Sequence, residues 1–244
     1  MIHTLFLIFL PMASLPLKTN HNKIAFLGNA KGHELYEPMV EFLKRSKIHY
    51  ALTHLPNVIY ESLVTQFWAS ADTRSDTEIV ATVEGTEYVV TEALIRAQLH
   101  LDDEGGVYHS DTDVILAGLR AAGYQSNRTD VWHKNQFCPM WRFLVHTLLK
   151  CMGNKCGSWD QFSTQLGCGI VCLSQGLTYN FSKFIFDSMV ENIHRKKHKF
   201  LLYPRFLQMI INITPQDRVF CPIGALSAKV FASMKSKYVG THFY

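Results

Sequence analysis

No two of the six cysteines stand in a C-x-x-C pair, so the sequence lacks the tight ligand pairs from which four-ligand zinc sites are usually assembled. Cys151-x4-Cys156 and Cys168-x3-Cys172 come nearest. The second pair sits one helical turn apart in LGCGIVCL, among Ile, Val and Leu. Buried free thiols are expected there, with nothing nearby to lower the Cys168 pKa and no role for His146 as a base serving it. A phosphate loop is missing too: FLGNAKGH, residues 26–33, lacks the Gly-Lys-Ser/Thr ending that would meet phosphate and magnesium. His33-Glu34 fails as a zinc-protease motif, because Glu37 stands where the second His would lie. The sequence therefore assigns no catalytic residue, no metal ligand and no cofactor, and an enzyme is the least favoured class.

Long apolar runs are also scarce. Residues 5–10 form one, broken by Pro11 and far short of the roughly 20 residues a bilayer-spanning helix needs. Only His3 precedes it where a signal peptide would carry Lys or Arg, and Ala13-Ser14 makes a poor cleavage site. Residues 1–22 are thus expected to be a leader outside the fold, without a transmembrane span. An intracellular location is favoured, and a secretory one follows only if residues 1–14 act as a signal.

Charged residues make up only 18% of the chain against 48% hydrophobic, a globular rather than a disordered balance. The net charge of +4 conceals an asymmetry. Up to Ala122 the chain has 9 Lys and Arg against 15 Asp and Glu, net −6; beyond it 15 against 5, net +10. A basic C-terminal half suits an anionic partner such as nucleic acid, while the plain alternative is a dipolar surface that pairs domains or subunits. The densest basic run is HRKKHK, residues 194–199. Arg195, Lys196, Lys197 and Lys199 are accordingly the candidate nucleic-acid contacts, set against a solvated helix end that complements the dipole. The dense acidic cluster Asp102, Asp103 and Glu104 lacks EF-hand spacing and reads as a solvated helix exit.

Periodicity predicts a predominantly helical α+β fold with one small β-hairpin. Helices are expected over about residues 34–46, 58–69, 91–99 and 110–122, with an extended piece at 48–53. Alternation in TEIVATV and TEYVV, around Glu84-Gly85, predicts the hairpin at residues 78–90. Residues 136–212 read as four consecutive helices: Pro139 opens the first, a Ser158–Gln161 capping box starts the next, Asn180 caps the third and Pro204 opens the fourth. Gly167 and Gly169 suggest close helix approach. The expected domain spans residues 23–213, followed by a C-terminal segment, residues 214–244, with a helix near 223–236.

Five phrases carry a resemblance: IHYALTHLPNVIYESLVTQFWASA, EIVATVEGTEYVVTEALIRAQLHLDDEGG, FCPMWRFLVHTLLKCMGNKCGSWDQFS, LTYNFSKFIFDSMVENI and KFLLYPRFLQMIIN. In this order, over residues 23–238, the chain resembles a family of plant retroelement-encoded proteins, the plant transposon protein group. The resemblance implies a non-enzymatic retrotransposon-associated protein without family catalytic residues, serving in assembly or with nucleic acid. Its implied partners are nucleic acid or other retroelement proteins. Relatives continue past residue 240, so an early end is expected here. Some relatives bear a synaptobrevin, longin-like label, which implies a trafficking module; such a module needs about five strands in one sheet, and the sequence supplies one convincing hairpin.

Overall fold

The computed structural model describes residues 15–18, 20–28, 35–155, 159–197, 199–221 and 225–226. Over these the chain is α+β and helix-dominated, as the apolar periods predict. A two-residue strand β1 (Ile24–Ala25) precedes helix α1 (Glu37–Arg45), whose Pro38 falls in the first turn, where proline removes no helical bond. The piece expected to be extended at residues 48–53 is instead a short helix, α2 (His49–Thr53). Ile48, Ala51 and Leu52 are all buried. Their i, i+3, i+4 spacing is helical, but a window of six residues hides it.

Next come α3 (Glu61–Ser70) and an antiparallel sheet of β2 (Asp72–Ser75), β3 (Glu78–Val83) and β4 (Thr86–Val90) in that order. The predicted hairpin is thus present, with a third strand added. Glu84 (φ 50) and Gly85 (φ 74) both adopt the left-handed conformation, which a two-residue turn of the I′ type requires. Gln66 of α3 clamps this turn, accepting from the Glu84 N–H at 2.8 Å and donating to its carboxylate at 2.7 Å. Ile79, Ala81 and Val83 are buried on the face of β3 that meets α3.

Thr91 caps α4 (Glu92–Gln98), its hydroxyl accepting from the Leu94 N–H at 3.2 Å. The cap expected at Ser110 falls one residue later: Asp111 precedes α5 (Thr112–Ala121), and Ser110 Oγ instead lies 3.7 Å from Cys168 Sγ. Strand β5 (Trp132–His133) pairs with β6 (Gln161–Phe162) across the base of α6 (Pro139–Cys151). No helix starts where the capping box at residues 158–161 predicted one, and Ser158 itself lies outside the described residues. Gln161 belongs to β6, and Ser163 caps α7 (Thr164–Gln175) by accepting from Leu166 at 3.2 Å. A cap contributes only about 1 kcal/mol, whereas pairing β6 with β5 buries Phe162 and stacks it on Trp132 at 6.3 Å. Asn180 caps α8 (Phe181–His194) and Pro204 opens α9 (Pro204–Ile211), as expected.

Helix α7 packs on α5, and α8 on α4. The glycines of α7 permit this: a Cβ on Gly167 would come within 3.3 Å of Ile115, and one on Gly169 within 3.1 Å of Tyr179. A tighter contact comes from α5, where a Cβ on Gly118 would lie 2.5 Å from Val171 Cγ1.

All eight residues of α9 are buried, Arg205 and Gln208 included. A helix enclosed on all sides has no water for its terminal N–H groups, so another segment must supply acceptors. Asn22 does this. Its Oδ1 accepts from the Arg205 and Phe206 N–H groups at 3.0 and 3.2 Å, while its Nδ2 donates to the Cys151 carbonyl at 2.9 Å. The neighbouring His21 Nε2 accepts from the Tyr203 N–H at 3.0 Å. The leader expected over residues 1–22 is thus too long: His21 and Asn22 belong to the core, Leu15 and Leu17 pack against it, and residues 1–14 lie outside the described residues. The C-terminal boundary moves as well. Cys221 is buried and its N–H donates to the Ile59 carbonyl at 2.8 Å. Strand β7 (Ala225–Leu226) then pairs in parallel with β1, where a helix was expected. The rest of that expected helix, residues 223–224 and 227–236, lies outside the described residues.

Two stability measurements check this packing. Asn22→Ala should cost about 2–3 kcal/mol by urea denaturation, because it leaves two helix donors and a carbonyl buried without partners. Gly118→Ala should cost roughly 1–3 kcal/mol through overpacking. Much of that loss should be recovered when Val171→Ala is added; strict additivity in the double variant would place the strain elsewhere.

Candidate nucleic-acid interface

The basic run begins where α8 ends. Arg195 reaches back one turn and pairs with Glu191 at 2.7 Å, so its charge is matched within its own helix. Lys196, Lys197 and Lys199 are exposed and form no ion pair among the described residues. Asn192, buried on the last turn of α8, donates to the Phe200 carbonyl at 3.1 Å. That bond ties the two ends of the basic segment together and leaves its lysines on the surface. The Leu201 N–H donates to the Pro16 carbonyl at 3.3 Å, which brings in exposed Lys18 two residues along the chain. Elsewhere, surface cations commonly have carboxylate partners: Lys44 with Glu41 at 2.7 Å, Lys47 with Asp102 at 2.8 Å, Arg128 with Asp130 at 2.6 Å and Lys183 with Asp187 at 3.0 Å.

The acidic cluster divides in two. Asp102 is exposed, and the hydrogen bond from Lys47 holds its carboxyl below the ordinary range. Asp103, read from the sequence as solvated, is buried. It accepts from the Ser182 N–H at 2.7 Å, the Ser182 hydroxyl at 2.5 Å and Arg96 Nε at 2.8 Å. Ser182 stands in the first turn of α8, so this carboxylate meets the positive end of a helix and a guanidinium together. Its role is to join α4 to α8.

Cys151, Cys168, Cys172 and Cys221 are buried thiols. The expectation that nothing depresses the Cys168 pKa is corrected: a hydrogen bond from the Cys172 thiol one turn along draws Cys168 below the ordinary thiol range, against the opposing effect of burial. His146 takes no part in this, since its ring pairs with Lys134 Nζ at 3.2 Å.

Sequence reading also missed an open cavity of about 460 Å³ between the end of α2 and the C-terminal ends of α4 and α9. On its wall Tyr50 is stacked between His54 at 4.4 Å and His100 at 4.0 Å. His100 (φ 51) and Asn212 (φ 49), which also line it, are left-handed, a conformation that disfavours side chains other than glycine by roughly 1–2 kcal/mol. Burial, with the charge of Arg205 behind it, lowers the His54 pKa. The rings come from segments 46 residues apart, so no short motif could have announced them.

Two histidines couple the fold to pH. Burial is the main cause holding both His21 and His146 down at about 3. Between about pH 6.5 and 3 the unfolded chain binds these protons and the folded chain does not, so stability falls as pH falls. Each contributes up to about 1.4 kcal/mol per pH unit in that window. Urea midpoints at pH 7 and pH 5 should show the loss, and His146→Gln should reduce it. No family model matches the chain, and no match to it was found among curated proteins or solved structures.

Proposed function

We propose that the chain is a non-enzymatic, retroelement-encoded module that engages nucleic-acid phosphates through Lys196, Lys197 and Lys199. The observation that carries this reading is the charge balance at one place: three exposed lysines within four residues, none paired with a carboxylate among the described residues. Free cations of this kind release condensed counterions when they meet a polyanion. Lys18 extends the patch. Arg195 is a weaker contributor than the sequence implied, because Glu191 offsets it. The retroelement assignment rests on the five ordered phrases quoted above. A longin-like trafficking role is less well supported, since the largest sheet among the described residues has three strands.

The contacts so proposed go to phosphates and not to base edges, so binding should depend strongly on salt and little on sequence. Fluorescence anisotropy with a labelled duplex between 50 and 300 mM salt tests it. Changing Lys196, Lys197 and Lys199 together to Ala should flatten the log–log salt slope by about 2.7 for duplex DNA and about 2.1 for single strands. Adding Arg195→Ala should change it little further. Equal slopes for the wild type and the triple variant would refute the proposal.

A further inference from the structure

Helix α6 carries His146 and Lys150 one turn apart, on a face that is buried: they are 5% and 7% exposed. Lys134, at 5% exposure, meets them from the turn before the helix. Its ammonium is fully used, donating to the Trp159 carbonyl at 2.6 Å, to Asp160 at 3.2 Å and to His146 Nδ1 at 3.2 Å. A protonated lysine has no lone pair to offer. His146 Nδ1 must therefore be the acceptor, which places the ring proton on Nε2. That Nε2–H is buried and has no hydrogen-bond partner among the described residues, a state that costs about 1–3 kcal/mol if nothing ever meets it.

Lys150 also has no counterion among the described residues. Its Nζ lies 3.3 Å from the centroid of the Trp159 ring, and no salt bridge to it is formed among the described residues. The nearby carboxylate, Asp160, pairs with Lys134. The Lys23 N–H donates to the Lys150 carbonyl at 3.0 Å, adding a further cation-bearing residue to the same neighbourhood. Burial first, and then the charges of Lys23 and Lys134, lower the Lys150 pKa to about 8. This is the response expected of a largely buried ammonium with other cations beside it. An unspent N–H donor and an unmatched ammonium on one helix face form a half-built site, and its missing part is an anion with several acceptor oxygens.

We infer that His146 and Lys150, backed by Lys134 and rimmed by Trp159, bind a tetrahedral oxyanion of the phosphate type. His146 Nε2–H and Lys150 Nζ donate to its oxygens. Lys134 contributes charge and fixes the histidine tautomer without touching the anion. The half-buried Trp159 and exposed Asp160 form the solvent side, so the phosphate group arrives either free or as the end of a small ester such as a nucleotide. This site uses none of the residues proposed to contact nucleic acid, and it stands or falls separately.

Isothermal titration calorimetry of the full chain with inorganic phosphate, and in parallel with a nucleoside 5′-monophosphate, tests the inference at constant ionic strength. Saturable binding is expected, with a thermal midpoint raised by roughly 5–10 °C at a hundredfold excess over Kd. Equal affinities would assign the free anion, and tighter nucleotide binding the ester. Lys150→Met should weaken binding at least tenfold, while Lys150→Arg retains it. His146→Gln, whose amide can still donate, should bind within about threefold of wild type, and His146→Leu should not. Circular dichroism confirms that each variant is folded. Should Lys150→Met not fold, the His146 pair decides alone. The triple lysine-to-alanine variant should bind phosphate as the wild type does. The inference is overturned by an absence of phosphate binding in the wild type, by unchanged affinity in both His146→Leu and Lys150→Met, or by loss of phosphate binding in the triple variant.

Discussion

The buried guanidinium of Arg205 is the contact on which the rest of the structure depends. It is completely inaccessible and faces no carboxylate among the described residues; it donates instead to the backbone carbonyls of Asn22, Lys23, His54 and Cys151 at 2.9–3.3 Å. Burial pushes its pKa down to about 10, still well above neutrality, so the charge persists and must be met by dipoles. Those four carbonyls come from the segment before β1, the end of α2 and the last turn of α6. The last of these is the negative end of a helix, which suits a cation. One side chain thereby fixes three segments against α9, and each loses its acceptor duty if the guanidinium is withdrawn.

The helices and the hairpin were legible because their signals are local. A period of 3.6, a proline in a first turn, an Asn or Thr cap and an alternating strand each declare themselves within a dozen residues. What was not legible is long-range. The carboxylate of Asp103 looked solvated because nothing beside it in sequence reveals Ser182 and Arg96. Gln161, expected in a capping box, is held instead by a strand partner 28 residues away, with Trp132 and Phe162 supplying the gain. His21 and Asn22 looked like the end of an apolar leader, and only the fold shows them meeting a buried helix N-terminus. The basic run was legible as a run. The pairing that removes Arg195 from its free charge follows the i, i+4 rule and was within reach of the sequence.

The cations of this chain occupy three physically different settings. Arg205 is buried against carbonyls and holds the core together. Lys196, Lys197 and Lys199 are in water, where their charge is available at long range but screened by salt. Lys134 and Lys150 lie between these extremes: both are largely buried beside Trp159, the first paired with Asp160 and the second with no carboxylate partner among the described residues. Formal net charge counts all of them alike, yet only the second group is placed to act at long range on a charged partner. At the third, a low-dielectric setting would strengthen the attraction for the single anion inferred above, relative to the surface.

The cap that Asn22 places on α9 spans 183 residues of sequence. During synthesis at about 5–20 residues per second, the segment around Asn22 exists for roughly 10–35 s before the N–H groups it serves have been made. Throughout that interval β1 and the end of α6 lack Arg205, and the early helices have no α9 to close over. The growing chain is thus committed to finishing its core from the C-terminal side. Asn22, made long before α9, acquires its native hydrogen bonds to that helix only once α9 has followed it.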